Sequence, residues 1–291
     1  MSDSTFRNAG DELGRSDDPQ VGARPPVADG TSAGDGGSQS TATGRAAAFF
    51  DLDRTLIAGS SAFEFGRAAW RSDLISHRAM VDAVVENLRF RLFGSTDSKT
   101  DDLREKMGAL LEGTDQRRVH RLAPDVLTGL LPRLYPQMLE EAWAHQDAGR
   151  PIYICTAASS EVADLLAEIL GFDGAVGTVP EVVDGRYTGR TIGHFTYREG
   201  KAQAMRELAE REGLDLSASY GYSDSESDLP MLRVVGHPVA VNPDRELARV
   251  AAEEGWQVMR FETIGRRLVL GGAIVTTALV GGVGAMVARR R

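Results

Sequence analysis

Residues 46–56 read Ala46-Ala47-Ala48-Phe49-Phe50-Asp51-Leu52-Asp53-Arg54-Thr55-Leu56, an apolar run that ends in two aspartates two positions apart. A run this short and continuous suits a strand buried on both faces of a parallel sheet better than an alternating surface strand. Open parallel sheets bind ligands at the carboxyl ends of their strands, which is where Asp51 and Asp53 fall. A strand running on would point both carboxylates to one face, and a turn beginning here would alter that.

Working outward, Ile152-Tyr153-Ile154-Cys155 is a second such run. Val162, Leu165, Leu166, Ile169 and Leu170 follow it at helical spacing, closed by Gly171 as a C-terminal cap. Lys201–Glu212 reads as another helix ending near Gly213, and residues 218–222 and 238–241 read as short strands. Val182-Val183, then Asp184-Gly185, then Arg186-Tyr187-Thr188 predict a small hairpin projecting from the sheet, because Asp-Gly favours the tight turn that strand twist requires. Strands alternating with helices imply an α/β fold, a parallel sheet with helices on both faces.

Between the first two strands, residues 60–149 carry helical periodicity throughout. Val81, Val84, Val85, Leu88 and Leu92 share one face; Leu103, Met107, Leu110 and Leu111 another; Val126, Leu127, Leu130, Leu131, Leu134 and Met138 a third. The expected architecture is a Rossmann-like core of residues 46–59 and 150–262, with residues 60–149 as an inserted all-helical cap domain over the mouth of the sheet.

The 291 residues allow two compact units at most, and the net charge of -9 argues against non-specific nucleic-acid binding, which depends on basic residues. A small anionic substrate can still bind at a local positive site. Cys155 is the only cysteine, so no intrachain disulfide or cysteine metal cluster forms, and a cytoplasmic catalytic portion fits best. Residues 1–45 lack a signal-peptide pattern and are poor in large apolar side chains, which predicts a disordered arm. Leu268–Ala288 carries no charge over a bilayer-spanning length and is bracketed by arginines. It is expected to be a transmembrane or membrane-anchoring helix. Ala273, Thr277, Gly281 and Ala285 recur every fourth position on it, a small-residue face that would also serve a homodimer.

The run at Asp51 resembles the DxDxT signature of the haloacid dehalogenase-like hydrolases, and partners follow in order. Thr156 comes after the second strand, Lys201 opens a helix, and Gly221-Tyr222-Ser223-Asp224-Ser225-Glu226-Ser227-Asp228-Leu229-Pro230 supplies a late acidic motif. The likeness spans about residues 46–245, and the helical insert is similar to the cap of the phosphoserine phosphatase-like branch (subfamily IB). Singly, each piece has a plain alternative. A lone DxD is usually a solvated turn, Asp224–Asp228 could cap a helix starting near Pro230, Lys201 could be a surface lysine, and Thr156 a strand-end hydroxyl. Four motifs in order outweigh them.

The resemblance implies that Asp51 attacks phosphorus to form an acyl phosphate, and that Asp53 protonates the leaving oxygen and then deprotonates water. It implies Mg2+ held by side-chain oxygens of Asp51 and Asp224 and the backbone carbonyl of Asp53, with Asp228 supporting the metal's shell. Thr156 and Lys201 would bind the substrate's phosphate oxygens. The implied substrate is a small phosphorylated metabolite or, for a membrane-held enzyme, a lipid phosphate.

Two departures argue against phosphoserine as first choice. Ser60 stands where phosphoserine phosphatases typically carry a glutamate, with Glu64 a turn further on, and Thr156-Ala157-Ala158 replaces Ser-Gly-Gly. Phosphoserine phosphatase proper, or a non-catalytic regulator that binds a phosphorylated ligand, are the alternatives. Arg54 would contact substrate or cap, or face solvent. His77, His120, His145, His194 and His237 show no metal-ligand spacing, and Cys155 sits in an apolar run, so packing accounts for them.

Overall fold

A computed structural model describes residues 44–75, 105 and 108–261. The apolar run forms strand β1 (Ala48–Phe50), in which every residue is buried. It lies inside a seven-stranded sheet with β2 (Ile152–Ser159), β3 (Gly174–Val183), β4 (Arg186–Ile192), β5 (Tyr220–Ser223), β6 (His237–Val241) and β7 (Gln257–Met259). The strand order is β4-β3-β2-β1-β5-β6-β7. All neighbours run parallel except β3 and β4. From β1 the chain builds outward through β2 and β3 and then returns to lay β5 on the other side of β1. The switch point therefore lies at the carboxyl ends of β1, β2 and β5, where an open parallel sheet leaves its ligand crevice.

Alternation along β1 feeds two cores. Ala48 and Phe50 join Ile152, Ile154, Tyr222 and Val239 on one face, and Ala47 and Phe49 join Tyr153, Cys155 and Ala240 on the other. On the second face lie helix α6 (Glu199–Glu212), through Met205, Leu208 and Ala209, and helix α8 (Arg245–Glu254), through Leu247 and Ala251. On the first lie helix α5 (Ser160–Leu170), through Leu166 and Ala167, and the helices of the insert. These are α1 (Ser61–Arg71), α3 (Ala123–Leu130) and α4 (Pro136–Asp147), the short α2 (Gln116–His120) preceding α3. A short helix α7 (Leu229–Leu232) follows β5.

Several local expectations hold. Gly171 and Gly213 end α5 and α6 in left-handed conformation, at φ of 69° and 64°. Asp184 and Gly185, at φ of 51° and 73°, turn between β3 and β4 as a tight hairpin requires.

Others need correction. The hairpin does not merely project from the sheet: β3 pairs parallel with β2 from Gly174 to Thr178 before turning back, so it extends the sheet by two strands. Strand β2 runs on through Thr156 to Ser159, so Thr156 lies within the strand and not after it. The third apolar stripe is divided into α3, a 3-10 turn at Leu131–Arg133 and α4, because Pro132 and Pro136 each open a new helical segment. Only part of that stripe is deeply buried: Val126, Leu130 and Met138.

Residues 1–43, the stripe on Val81–Leu92, Leu103 and Met107 lie outside the described residues. Gly44 and Arg45 are described, and Arg45 forms a parallel bridge with Leu214. The expectation of a membrane-anchored protein with a C-terminal transmembrane helix is corrected. Among the described residues no helix is long and apolar enough to cross a membrane. The segment 268–288, on which that expectation rested, lies outside them.

Candidate active site

Strand β1 ends at Phe50 and delivers Asp51 to the switch point, where the Asp51 N–H donates to the Tyr222 carbonyl of β5 at 2.9 Å. The chain then coils into a tight turn, in which the Leu56 and Ile57 N–H groups both donate to the Leu52 carbonyl. Asp53 is thereby separated from Asp51 and seated against the start of α1. Its Oδ1 accepts from the Ser61 N–H at 2.7 Å and its Oδ2 from the Ser60 hydroxyl at 3.3 Å.

From the other side of the sheet, α6 brings in Lys201, which is 2% exposed. Its Nζ donates to Asp51 Oδ1 at 2.6 Å and to Asp228 Oδ2 at 2.7 Å. The Ser223 hydroxyl, at the end of β5, also donates to Asp228 Oδ2 at 2.7 Å. Asp228 occupies the N-cap position of α7 but makes no side-chain cap hydrogen bond. Its carboxylate is directed to Lys201, and the capping within 224–228 falls to Ser225, whose Oγ accepts from the Ser227 N–H at 3.3 Å.

Asp224 follows β5 directly, is buried, and has Arg54 Nη1 3.1 Å from its Oδ2. Thr156 sits on β2, two residues past Ile154, the register partner of Phe50; it is buried, and its Oγ1 accepts from the Ala158 N–H at 3.1 Å. Accepting that bond leaves the hydroxyl proton free to donate. Two strand ends and one helix thus bring Asp51, Asp224, Asp228 and Lys201 into one buried cluster, with Asp53 and Thr156 on the adjoining turn and strand.

The electrostatics follow from burial. Burial pushes the Asp51 carboxyl up to about 7, against the attraction of Lys201 and with help from Asp228 and Asp53. Burial also raises Asp53, opposed by the hydrogen bonds from Ser61 and Ser60, and raises Asp224 well above the usual range, opposed by Arg54. Burial would lower Lys201, yet Asp228 and Asp51 outweigh it and hold the ammonium above its ordinary value. Cys155 is pushed up to about 12 by burial, so its thiol is inert, as its place in an apolar run implied.

The fit to a divalent cation rests on the donor set. Asp224 Oδ2 is buried and makes no hydrogen bond, only the ion pair with the half-exposed Arg54, so a cation can take that place. Among the described residues no three His, Cys, Asp or Glu side chains converge as a ready metal site. A set of two carboxylates and one backbone carbonyl, completed by water, is still what Mg2+ commonly accepts. The residues fit the ion.

The sequence reading gave no role to Ser60, Ser61 or Ser223, which hold the two outer aspartates. A Ser-Ser pair opening a helical pattern was the available signal for the first two. A cleft of about 470 Å3 beside the 224–228 loop contains none of the cluster. Its arginines alternate with glutamates, so it favours neither sign of ligand.

The family model described as haloacid dehalogenase-like hydrolase matches residues 48–233. Phosphoserine phosphatase SerB1 of Mycobacterium tuberculosis is 37% identical over 250 residues, covering 84% of this chain and 81% of its own. Histidinol-phosphatase of Neisseria meningitidis is 31% identical over 74% of this chain and 98% of its own. A crystal structure of a Bordetella pertussis Tohama I protein of unknown function superposes with a TM-score of 0.65 at 31% identity, covering 74% of this chain and 98% of that one. Chain order, buried acidic cluster and relatives agree, and the protein belongs to the haloacid dehalogenase-like hydrolases, as an enzyme of their phosphoserine phosphatase-like branch.

Proposed function

We propose that the chain hydrolyses a phosphate monoester of a small metabolite or lipid through a phosphorylated Asp51. The observation that carries this reading is Lys201, a buried ammonium shared by Asp51 and Asp228. Its charge favours the ionised form of Asp51 against burial, which pushes that carboxyl up to about 7, and the ionised carboxylate is the nucleophile this chemistry needs.

An oxygen of Asp51 attacks the phosphorus and the bond to the leaving oxygen breaks. Asp53, held by Ser60 and Ser61, delivers its proton to that oxygen. Asp53 then removes a proton from water, which attacks the phosphorus, frees phosphate and restores Asp51. Lys201 and the Thr156 hydroxyl bind the phosphoryl oxygens, where charge accumulates in the transition state. Mg2+, when bound by Asp51, Asp224 and the Asp53 carbonyl, supplies positive charge that offsets repulsion between these carboxylates and the phosphate.

The substrate is narrowed by Glu64. It is 1% exposed, and Arg67 and Arg133 lie 2.5 Å and 2.9 Å from its two carboxylate oxygens. Its charge is thus spent on arginines and does not replace the missing ammonium-holding glutamate at Ser60. That favours a phosphomonoester other than phosphoserine. Phosphoserine itself stays as the second reading, supported by the relationship to SerB1. The relatives named as phosphatases carry different substrate names, so they support the reaction class more than one substrate.

The test is phosphate release by the full chain, with and without Mg2+, over p-nitrophenyl phosphate, phosphoserine, histidinol phosphate, sugar phosphates, nucleotides and lysophosphatidate. Turnover that requires Mg2+ and vanishes in Asp51→Asn is expected. A folded wild-type protein that binds Mg2+ and turns over nothing in the panel would favour the regulator reading.

A further inference from the structure

Arg54 holds a backbone that suits glycine. Its φ is 64°, in the left-handed region where a side chain crowds the following carbonyl. Glycine would make the same turn without that strain, so the side chain needs another reason to be there. Its guanidinium supplies one: Nη1 lies 3.1 Å from Asp224 Oδ2, reaching in from solvent with its own side chain 48% exposed while that of Asp224 is 4% exposed.

The charges of the site explain what this contact does. Four carboxylates, Asp51, Asp53, Asp224 and Asp228, face two cations, Lys201 and Arg54. Lys201 is buried and gripped by two aspartates, so it is a fixed part of the site. Arg54 is half exposed, and its contact with Asp224 is a single ion pair of the kind that exchanges readily. It faces a buried oxygen that makes no hydrogen bond of good geometry, so this ion pair is what a cation would have to replace.

Resting on the reading of Asp224 as a metal carboxylate, we propose that Arg54 is a positioning residue that serves as counter-ion of Asp224 in the metal-free site and competes there with the divalent cation. It keeps the acidic cluster assembled before the ion arrives, and it sets how much free cation is needed to displace it. Once displaced, the guanidinium swings to the solvent side of the turn.

The test is the dissociation constant for Mg2+ alone, read by calorimetry and by the Mg2+ midpoint of thermal stabilisation. The full-length wild type is compared with Arg54→Ala, Arg54→Gly, Arg54→Lys and Asp224→Asn. Removing the competitor tightens Mg2+ binding by about two- to fivefold in the Ala and Gly variants, the range expected for a partly exposed ion pair. Arg54→Lys stays near the wild-type value. Without metal, Arg54→Ala, which keeps the strained turn, melts below Arg54→Gly. A merely structural arginine predicts the opposite sign, because disordering the turn would weaken Mg2+ binding. Unchanged or weaker binding in both the Ala and Gly variants overturns the inference while leaving the metal site standing. Asp224→Asn binding Mg2+ as tightly as wild type overturns the inference and the metal reading together.

Discussion

Lys201 is the cation that two buried aspartates of the cluster share. In the sequence it is a lysine at the start of a helix, and helices commonly carry lysines on their wet faces. In the fold it is 2% exposed between two buried aspartates. Replacing it by Met leaves Asp51 and Asp228 buried with no neighbouring cation, which costs about 3 to 5 kcal/mol. Denaturant unfolding of Lys201→Met should show a loss of that size along with loss of turnover; a loss below about 1 kcal/mol would mean the carboxylates are better solvated than the geometry implies. Ser60 was noted in the sequence only as a missing glutamate, because its bond to Asp53 exists only through the turn after β1. That bond lowers the Asp53 pKa against the larger raising effect of burial. In Ser60→Ala the Asp53 pKa rises further, so the proposed general acid keeps its proton to higher pH. The alkaline limb of kcat therefore moves upward in pH, and a downward move would remove Asp53 from the acid role.

At the scale of elements, what was legible is what short-range physics decides. Continuous apolar runs gave β1 and the start of β2, glycines gave the ends of α5 and α6, and Asp-Gly gave the hairpin turn. Strand β3 escaped except for its last two valines, because Gly174, Gly177 and Pro180 interrupt it, and such residues ordinarily argue against a strand. Gly177 is there because the β2–α5 junction passes close by. A Cβ on it would stand 2.7 Å from Ser160 Cα, 2.8 Å from Ser160 N and 3.1 Å from the Ala158 carbonyl oxygen. These are backbone atoms that no rotamer change can move aside. Gly177→Ala should therefore destabilise the protein by about 1 to 3 kcal/mol, despite the stiffer chain that Ala gives the unfolded state. The displaced junction begins only two residues beyond Thr156, so KM for substrate should rise as well. A melting temperature at or above wild type would show that the junction yields without strain.

Over the whole molecule, the sheet order could not be read from the sequence, since which strand neighbours β1 depends on contacts more than a hundred residues apart. The motifs were legible all the same, because Asp51 and Asp224 directly follow strands and Thr156 lies on one, and any parallel order that centres β1 gathers these three. What the sequence hid is the polar layer beneath the site. Arg150 Nε donates to His145 Nδ1 at 2.7 Å, which fixes the proton on Nε2, and that nitrogen faces the Tyr222 hydroxyl at 2.7 Å. Tyr222 in turn donates to Glu141 at 3.2 Å and stacks on Phe50, directly under Asp51. Burial, with the nearby charge of Arg150, lowers His145 from 6.5 to about 4. The sign is set by linkage. Above pH 6.5 neither the folded nor the unfolded chain protonates this histidine, so its neutral hydrogen bonds count in full. Between about 6.5 and 4 the unfolded chain takes up a proton that the folded chain refuses, so stability falls with pH, by up to about 2 to 3 kcal/mol at the acid end. Asp51 acts in the opposite direction, because its raised pKa makes the folded chain the better proton acceptor between 7 and 3.8. The two are separated by comparing His145→Gln with wild type at each pH. The variant should be destabilised most near pH 7 and draw level with wild type as pH falls toward 4, in urea unfolding free energies measured without metal. A gap between the two proteins that stays constant across that range would mean His145 protonates in place, and that the layer under the active site tolerates a charge.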